Sequence, residues 1–529
     1  MSNTRTIAKN TGWYGLESAI NFVVTLFTSI AIARTLGPSK MGYVIYVIWI
    51  SSIVSSLGGM GIPATTRKYM AEFLGKGDRG TARYIYFRTL LLQAGLATIA
   101  TAGILIWIFR DAQAGYLLAS VLVVLSIWPS MVNSISAQAN VAAETLSANL
   151  PASVISIIAF FVSILATVVF KWGVIGVGAS MLIMRSVDFL VRVIPTFRKI
   201  HSWETLHLYP VGLRSRMISF AWQSVASMFL ALIVWDRSEF FLLKHLCSDI
   251  RQIAYYSVAF SMAGRLLITA SVFGSAASAT IFAQYGRDKS RLADIASSSF
   301  RYLVLTSIPI HFIGASLAIP ALLFLYGGQY RGAALVVTLA PLLCLPNAFL
   351  GPAQSLLESA ERQGYVIAAT ILAGVVDIGV AWYLIPSYGA VGACIGSGAA
   401  QIMAVSSMWA ICIYFFKIKL PWFFLAKVVF ISVMASFAGY SISVWTRPLL
   451  ALLIGGSVAL TVLLGLIYLL RVFEVEDRNR FVKLTRTMPL PISQPLNIIL
   501  SLLAHLPVSR SDDYAALPTI AVGEEVMHD

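Results

Sequence analysis

Charged side chains inside long apolar segments are the residues of this sequence best placed to do chemistry. Arg185, Asp188 and Arg192 follow one another at i, i+3 and i+7, which places all three on one face of a helix. Because arginine presents a planar fork of N–H donors that suits phosphate oxygens, this stripe is a candidate anion-binding or gating surface. The alternative is an internal ion pair made by Asp188, with Arg192 extending toward water.

Arg265 is a second candidate for binding an anion. It lies within the apolar segment 252–282, and no acidic residue falls within one helical turn of it in the sequence. A lone charge in such a segment is costly and is therefore more often functional than structural. The alternative is a pairing across helices, with Asp236 or Asp377, that serves assembly alone.

Carboxylates in apolar segments are candidates for ion coupling or gating. Glu17 lies near the start of the first apolar segment, and Asp377 lies near the middle of the segment 365–385. Each is a candidate proton or sodium site, or else a structural hydrogen-bonding group. Asp236 and Arg237 close the segment 217–242, where they form either an outer gate or a solvated helix end.

The elements that must hold these residues are membrane-spanning helices. Of 529 residues, 58% are hydrophobic and 12% are charged, against about 25% charged in soluble domains. This composition excludes a water-soluble protein. The four cysteines lack metal-ligand spacing, and no glycine-rich phosphate loop occurs, so we expect no metal, nucleotide or other cofactor.

A bilayer core of about 30 Å needs about 20 mostly apolar residues per helix. About fourteen stretches of the sequence meet this length, at 12–35, 41–63, 84–109, 115–138, 151–170, 173–195, 217–242, 252–282, 303–325, 333–357, 365–385, 390–416, 423–446 and 448–470. If the N-terminus is cytoplasmic, that side of the membrane receives roughly three times as many Lys and Arg residues as the other. The net charge of +15 is thus a topology signal that places both termini in the cytoplasm, and no nucleic-acid partner is expected.

Two glycine-containing turns lie about 216 residues apart and match in register. Gly173 and Gly176 in the first turn correspond to Gly389 and Gly392 in the second. A repeat of six helices predicts two lobes, at 1–215 and 216–416, with a cavity between them for alternating access. Two extra helices at 417–471 follow, and the remainder, 472–529, is predicted to be a cytoplasmic tail with an interfacial helix.

Loose motifs of glycine, proline and aromatic residues mark the turns of this sequence, at 33–43, 58–63, 326–330 and 384–393. They resemble the turns of Wzx-type polysaccharide flippases, a branch of the multidrug, oligosaccharidyl-lipid and polysaccharide exporter superfamily. The resemblance implies a two-lobe, all-α protein of the bacterial inner membrane. It implies that this protein flips polyprenyl-diphosphate-linked oligosaccharide repeat units to the outer leaflet for O-antigen, capsule or exopolysaccharide synthesis. Its candidate protein partners are a polysaccharide polymerase and a chain-length regulator.

Alternatives remain open within and outside this superfamily. An ion-coupled multidrug exporter or a peptidoglycan lipid-precursor flippase would share the two-lobe core. Arg185 and Arg265 favour an anionic cargo, because a drug cavity is expected to be hydrophobic with one or two carboxylates. A membrane-embedded polysaccharide polymerase or ligase would need a large outer loop, whereas the longest predicted outer loop, 243–251, is short. We therefore expect a transporter and not an enzyme.

Overall fold

A computed structural model describes residues 2–111, 114–204, 210–235 and 238–473 of the protein. Within these ranges the regular secondary structure is helical and contains no strand, which confirms the predicted fold class. The helices of the first half are α1 (Ser2–Gly58), α2 (Ile62–Gly75), α3 (Arg79–Asp111), α4 (Leu117–Leu125), α5 (Ile127–Ala142), α6 (Leu150–Val169) and α7 (Gly173–His201).

The second half of the described chain is also helical. Its helices are α8 (Leu213–Trp235), α9 (Glu239–Leu246), α10 (Arg251–Leu266), α11 (Ile268–Arg287), α12 (Leu292–Ser316), α13 (Ala318–Tyr326), α14 (Ala334–Cys344), α15 (Leu350–Ser359), α16 (Gln363–Tyr388), α17 (Ala390–Phe416), α18 (Trp422–Ser443), α19 (Pro448–Leu450) and α20 (Gly456–Leu469). The tail predicted at 472–529 falls almost wholly outside the described residues.

Ten helices of the described chain are long and apolar enough to cross a membrane, and twelve are if two bent pairs count as one span each. These pairs are α10 with α11, bent by 46°, and α12 with α13, bent by 63°. The remaining difference from about fourteen predicted spans has two sources. Helix α1 is 57 residues long and contains two predicted spans, and the span predicted at 217–242 is divided between α8 and α9. The chain is a multi-pass membrane protein.

The break inside α1 has a local cause. Gly37 has φ 72° and ψ 170°, a backbone conformation that glycine adopts without steric cost. Pro38 follows and lacks the N–H that would continue the hydrogen-bond ladder. The two halves of α1 therefore meet at the predicted turn 33–43.

Helix packing follows the order of the chain. Helices α2, α3 and α5 pack on one another, α6 pairs with α7, and α4 and α5 pack against α7. In the second half, α16 pairs with α17 while α10, α12, α14 and α17 form the centre of the bundle. Helices α18 and α20 pack against each other, and α18 packs against α12.

The two glycine-containing turns share a positive φ at their first glycine. Gly173 and Gly389 adopt positive φ values of 59° and 52°, which allow the tight turns before α7 and α17. A Cβ atom on Gly176 would come within 2.4 Å of the facing helix, and one on Gly392 within 2.6 Å. Both hairpins thus depend on glycine for close helix approach, as the repeated pattern predicts.

Candidate functional site

A cavity of about 820 Å³ lies where α1, α2 and α5 face α8, lined by both polar and apolar side chains. This volume falls in the range of about 300–1,000 Å³ that is usual for ligand pockets. Its polar lining consists of hydroxyl and amide side chains with one cation: Ser55, Ser56, Arg67, Ser130, Ser134, Gln138, Gln223 and Ser224. Such groups can accept and donate hydrogen bonds to a hydroxyl-rich or anionic ligand.

Arg67 is the charged residue among the described side chains that line this cavity. It is exposed and forms no ion pair within 4.0 Å in the described part of the chain, so its guanidinium is available to an anion. The amide oxygen Oε1 of Gln138 is buried and has no hydrogen-bond partner among the described residues. Arg67 thus offers a fork of donors for phosphate oxygens.

Helix α2 is positioned by the motif at 58–63. Gly61, with φ 67°, lies against α8, where a Cβ would come within 2.3 Å of the carbonyl oxygen of Ala221. Because that approach directs the first turns of α2 along α8, Arg67 reaches the cavity. The sequence pattern assigned Arg67 to a basic loop. Its position one turn beyond Pro63 of a recognised motif was the signal that could have found it.

The predicted stripe on α7 does not line this cavity. The Nη2 atom of Arg192 donates to Asp188 Oδ1 at 2.6 Å and to Ser153 Oγ of α6 at 3.1 Å. Asn133 of α5 donates from Nδ2 to Asp188 Oδ2 at 2.6 Å. The side chains of Arg192 and Asp188 are only 11% and 14% exposed. These contacts match the internal ion-pair alternative, while Arg185, half-buried, forms no ion pair with a described side chain.

Arg265 stands alone near the end of α10. Its Nη1 atom donates to the carbonyl oxygen of Ser261 in the same helix at 3.0 Å, and its side chain is half-buried. The pairing with Asp377 does not occur, since the described ion pairs do not include Arg265. The other suggested partner, Asp236, lies outside the described residues, as does Arg237.

Asp377 belongs to a buried acidic cluster. It is 1% exposed, as is Glu239 of α9, and the two carboxyl groups lie within hydrogen-bonding reach of each other. Ser238 donates from Oγ to Asp377 Oδ2 at 3.2 Å, while Asp377 Oδ1 has no hydrogen-bond partner among the described residues. Two ionised carboxylates would repel each other strongly in this buried site. The arrangement is therefore stable only if the two groups share a proton or bind a cation. The side chain of Glu17, the other predicted coupling residue, is outside the described part.

Glu239 is the partner that the sequence pattern did not assign to Asp377. The residues are 138 positions apart in sequence and on different helices. Its position inside the predicted apolar segment 217–242 is the sequence signal that could have found Glu239.

A closed seam joins the two halves of the chain at the turn of α1. Arg34 donates from Nε to the carbonyl oxygen of Leu325 at 2.7 Å, and its Nη2 donates to the carbonyl oxygen of Phe324. In return, Gln329 donates to the carbonyl oxygen of Arg34 at 3.0 Å, and Tyr330 to that of Ala33 at 3.2 Å. The turn motifs at 33–43 and 326–330 therefore bind each other.

No protein-family model and no curated protein matches the sequence. Solved structures do match the fold. A lipid II flippase MurJ in an inward closed conformation has a TM-score of 0.70 and 14% identity, with 86% of this chain and 98% of that chain covered. An inward-facing MATE multidrug resistance transporter of the MOP superfamily has a TM-score of 0.60 and 14% identity, covering 75% and 95%.

A MATE structure in complex with MaD3S has a TM-score of 0.53 and 15% identity, with 78% of this chain and 96% of that chain covered. At this level of identity the likeness concerns the fold. The chain therefore has a fold similar to that of these lipid II flippase and MATE transporter structures.

Proposed function

We propose that the protein flips a polyprenyl-diphosphate-linked oligosaccharide from the cytoplasmic to the outer leaflet of a bacterial inner membrane by alternating access. In this proposal the cargo supplies surface polysaccharide synthesis, both termini are cytoplasmic, and no covalent bond is made or broken. Residues 1–215 and 216–416 act as two lobes, and 417–471 forms two appended helices.

The observation that carries the proposal is the cavity with Arg67 in its wall. A diphosphate needs a cation and hydrogen-bond donors, and sugar hydroxyls need acceptors such as the serine hydroxyls of this lining. Apolar side chains, among them Met131, Phe220 and Met228, also line the cavity. The similarity to a protein named as a lipid II flippase supports a cargo with a lipid anchor.

The arginines predicted from the sequence keep a place in this proposal. Arg265 and Arg185 would serve as additional anion contacts as the lobes move, since neither has an acidic partner in the described ion pairs. Asp188 and Arg192 would act as a positioning pair that fixes α7 against α5 and α6.

In this proposal the hydrogen bonds of Arg34 and Gln329 close the outer side of the transport path, and the cavity near the start of α2 opens toward the cytoplasmic side. Alternating access requires this seam to open when the cargo is released outside. The energy for that change would come from an ion gradient. The buried Glu239–Asp377 pair is the candidate site for the coupling proton or sodium ion.

Ion-coupled export of drugs is the second candidate function. The buried carboxyl pair of Glu239 and Asp377 favours it, as does the similarity to MATE transporters. A flippase for a peptidoglycan precursor is a further variant of the first proposal, differing in cargo.

Deletion of the gene in its host, followed by extraction of membrane lipids and surface glycan, tests these functions. We expect a lipid-diphosphate oligosaccharide to accumulate on the cytoplasmic leaflet and surface polysaccharide to disappear. The accumulated lipid identifies the cargo, so a peptidoglycan precursor would replace the polysaccharide assignment. Unchanged glycan with raised drug sensitivity would instead establish the exporter function.

A further inference from the structure

A second concave surface lies on the other side of the α2–α8 contact. It is a groove of about 740 Å³ between α2, α3 and α8. Most of its lining is aliphatic, including Leu91, Leu92 and Ile99 of α3 and Ile218 of α8. These four side chains are between 55% and 70% exposed, so the groove faces the hydrocarbon of the bilayer.

Two arginines are the charged residues among the described side chains that line this groove. Arg88 of α3 and Arg214 of α8 line it, and both are exposed. Neither takes part in an ion pair among the described residues, and Arg88 packs over the ring of Tyr84 at 5.3 Å. No carboxylate is among the described lining residues. The groove therefore presents two positive charges beside a mostly aliphatic lining.

The length of the groove matches one leaflet of a membrane. Eleven residues separate Arg88 from Ile99, which corresponds to about 16 Å along a helix axis. Half of a hydrocarbon core of about 30 Å is about 15 Å. With the two arginines at headgroup depth, the apolar lining extends to about the middle of the bilayer.

We propose that this groove binds an acidic membrane phospholipid, with its headgroup phosphate on Arg88 and Arg214 and one acyl chain along α3. Two guanidinium groups favour a lipid of net negative charge, because the ammonium of a zwitterionic headgroup would offset the attraction to its phosphate. The lipid lies against α2 and α8, the helices that also wall the cavity, so its occupancy stabilises their contact at Gly61. This inference does not depend on which cargo the protein carries.

The test uses the full-length protein in nanodiscs that contain equal amounts of phosphatidylglycerol and phosphatidylcholine, followed by native mass spectrometry of the retained lipids. We expect retention of phosphatidylglycerol over phosphatidylcholine by about 10- to 30-fold, from two arginines at the membrane surface. The double variant Arg88→Gln/Arg214→Gln should lose this preference. The matched control, Arg79→Gln/Lys419→Gln, removes two exposed charges outside the groove and should retain it.

Equal retention of the two lipids by the wild-type protein would overturn the proposal, and so would an equal loss of preference in both double variants. Adding a polyprenyl phosphate distinguishes the other source of the same chemistry. If it displaces phosphatidylglycerol when present at one-tenth of the phospholipid concentration, the groove belongs to a prenyl lipid, and the phospholipid assignment is wrong.

Discussion

Arg34 donates from Nε to the main-chain carbonyl of Leu325 at 2.7 Å across 291 residues of sequence. The contact places a cation from the turn of α1 at the C-terminal end of α13, where the last carbonyls of a helix lack partners within the helix and carry partial negative charge. The side chains of Gln329 and Tyr330 donate hydrogen bonds to main-chain carbonyls of the same turn of α1. Two motifs that were recognised separately in the sequence thus form one closed seam.

Replacing Arg34 with Ala should open this seam. Hydrogen bonds from a charged donor contribute about 1.5–3 kcal/mol, so we expect the open population to rise by about tenfold or more. The measurement is labelling by a membrane-impermeant maleimide in the variant Leu322→Cys, since Leu322 is fully buried beneath the seam. The four native cysteines are first replaced by Ser. Lys40→Ala, an exposed change in the same turn, should leave the labelling rate unchanged. Equal labelling with and without Arg34 would show that the seam does not depend on it.

Arg67→Ala should reduce flipping of a lipid-diphosphate oligosaccharide in proteoliposomes by at least about tenfold, because the cavity loses its cation. Arg67→Lys should retain part of the activity, since the charge remains but the planar fork does not.

Arg265→Ala should also abolish transport while leaving membrane insertion intact. Arg79→Ala, exposed and outside the cavity, is the control. Full activity of either Ala variant would remove that arginine from the site.

Asp377→Asn should uncouple transport from the ion gradient. Asparagine keeps the shape of the side chain and can accept a hydrogen bond from Ser238, but it cannot exchange a proton or carry charge. We expect transport driven by an imposed pH or sodium gradient to fall by about tenfold or more, with little change in thermal stability. Asp294→Asn, an exposed change at the start of α12, should transport normally. A variant that still responds fully to both gradients would leave the acidic cluster with a structural role.

Asp188→Ala should destabilise the protein without touching the cavity. The substitution leaves Arg192 with its Ser153 contact but without a counter-charge, and the Arg192 side chain is only 11% exposed. Because breaking a buried ion pair costs about 3–5 kcal/mol, we expect a loss of stability of that size. Thermal unfolding in detergent measures the loss, and the double variant Asp188→Ala/Arg192→Met should recover most of it. Breaking the exposed Lys76–Glu72 pair, 2.7 Å long, should cost less than about 1 kcal/mol. Equal losses from the two pairs would contradict this assignment.

Gly392→Ala should loosen the α16–α17 hairpin. The added Cβ would lie 2.6 Å from the carbonyl carbon of Leu384, so the helices must separate, and overpacking of this kind costs about 1–3 kcal/mol. Gly379→Ala in α16 is the control, since nothing lies within 4 Å of a Cβ there and alanine favours helix more than glycine. The change in melting temperature compares the two variants. An unchanged value for Gly392→Ala would mean that the hairpin tolerates the wider spacing.

Much of the fold was predictable from the sequence, because a bilayer imposes one requirement on every span. A segment of about 20 apolar residues must satisfy its own backbone hydrogen bonds, so length and apolar composition determine where helices run. Turns at glycine were predictable for an equally local reason, because glycine adopts positive φ values without steric cost. The structure shows such values at Gly37, Gly173 and Gly389. Both glycine-containing turns occur where the sequence pattern placed them.

The site depends on contacts that cross long intervals of sequence. A charge inside an apolar segment marks a candidate residue, but the pattern does not state which neighbour meets it. Asp188 meets Asn133, and Asp377 meets Glu239, because helix packing brings those faces together. Arg67 is part of a cavity, and not only of a basic loop, because Gly61 lets α2 lie against α8. Local backbone chemistry therefore specifies the helices and turns, and the packing between helices specifies which polar groups share a site.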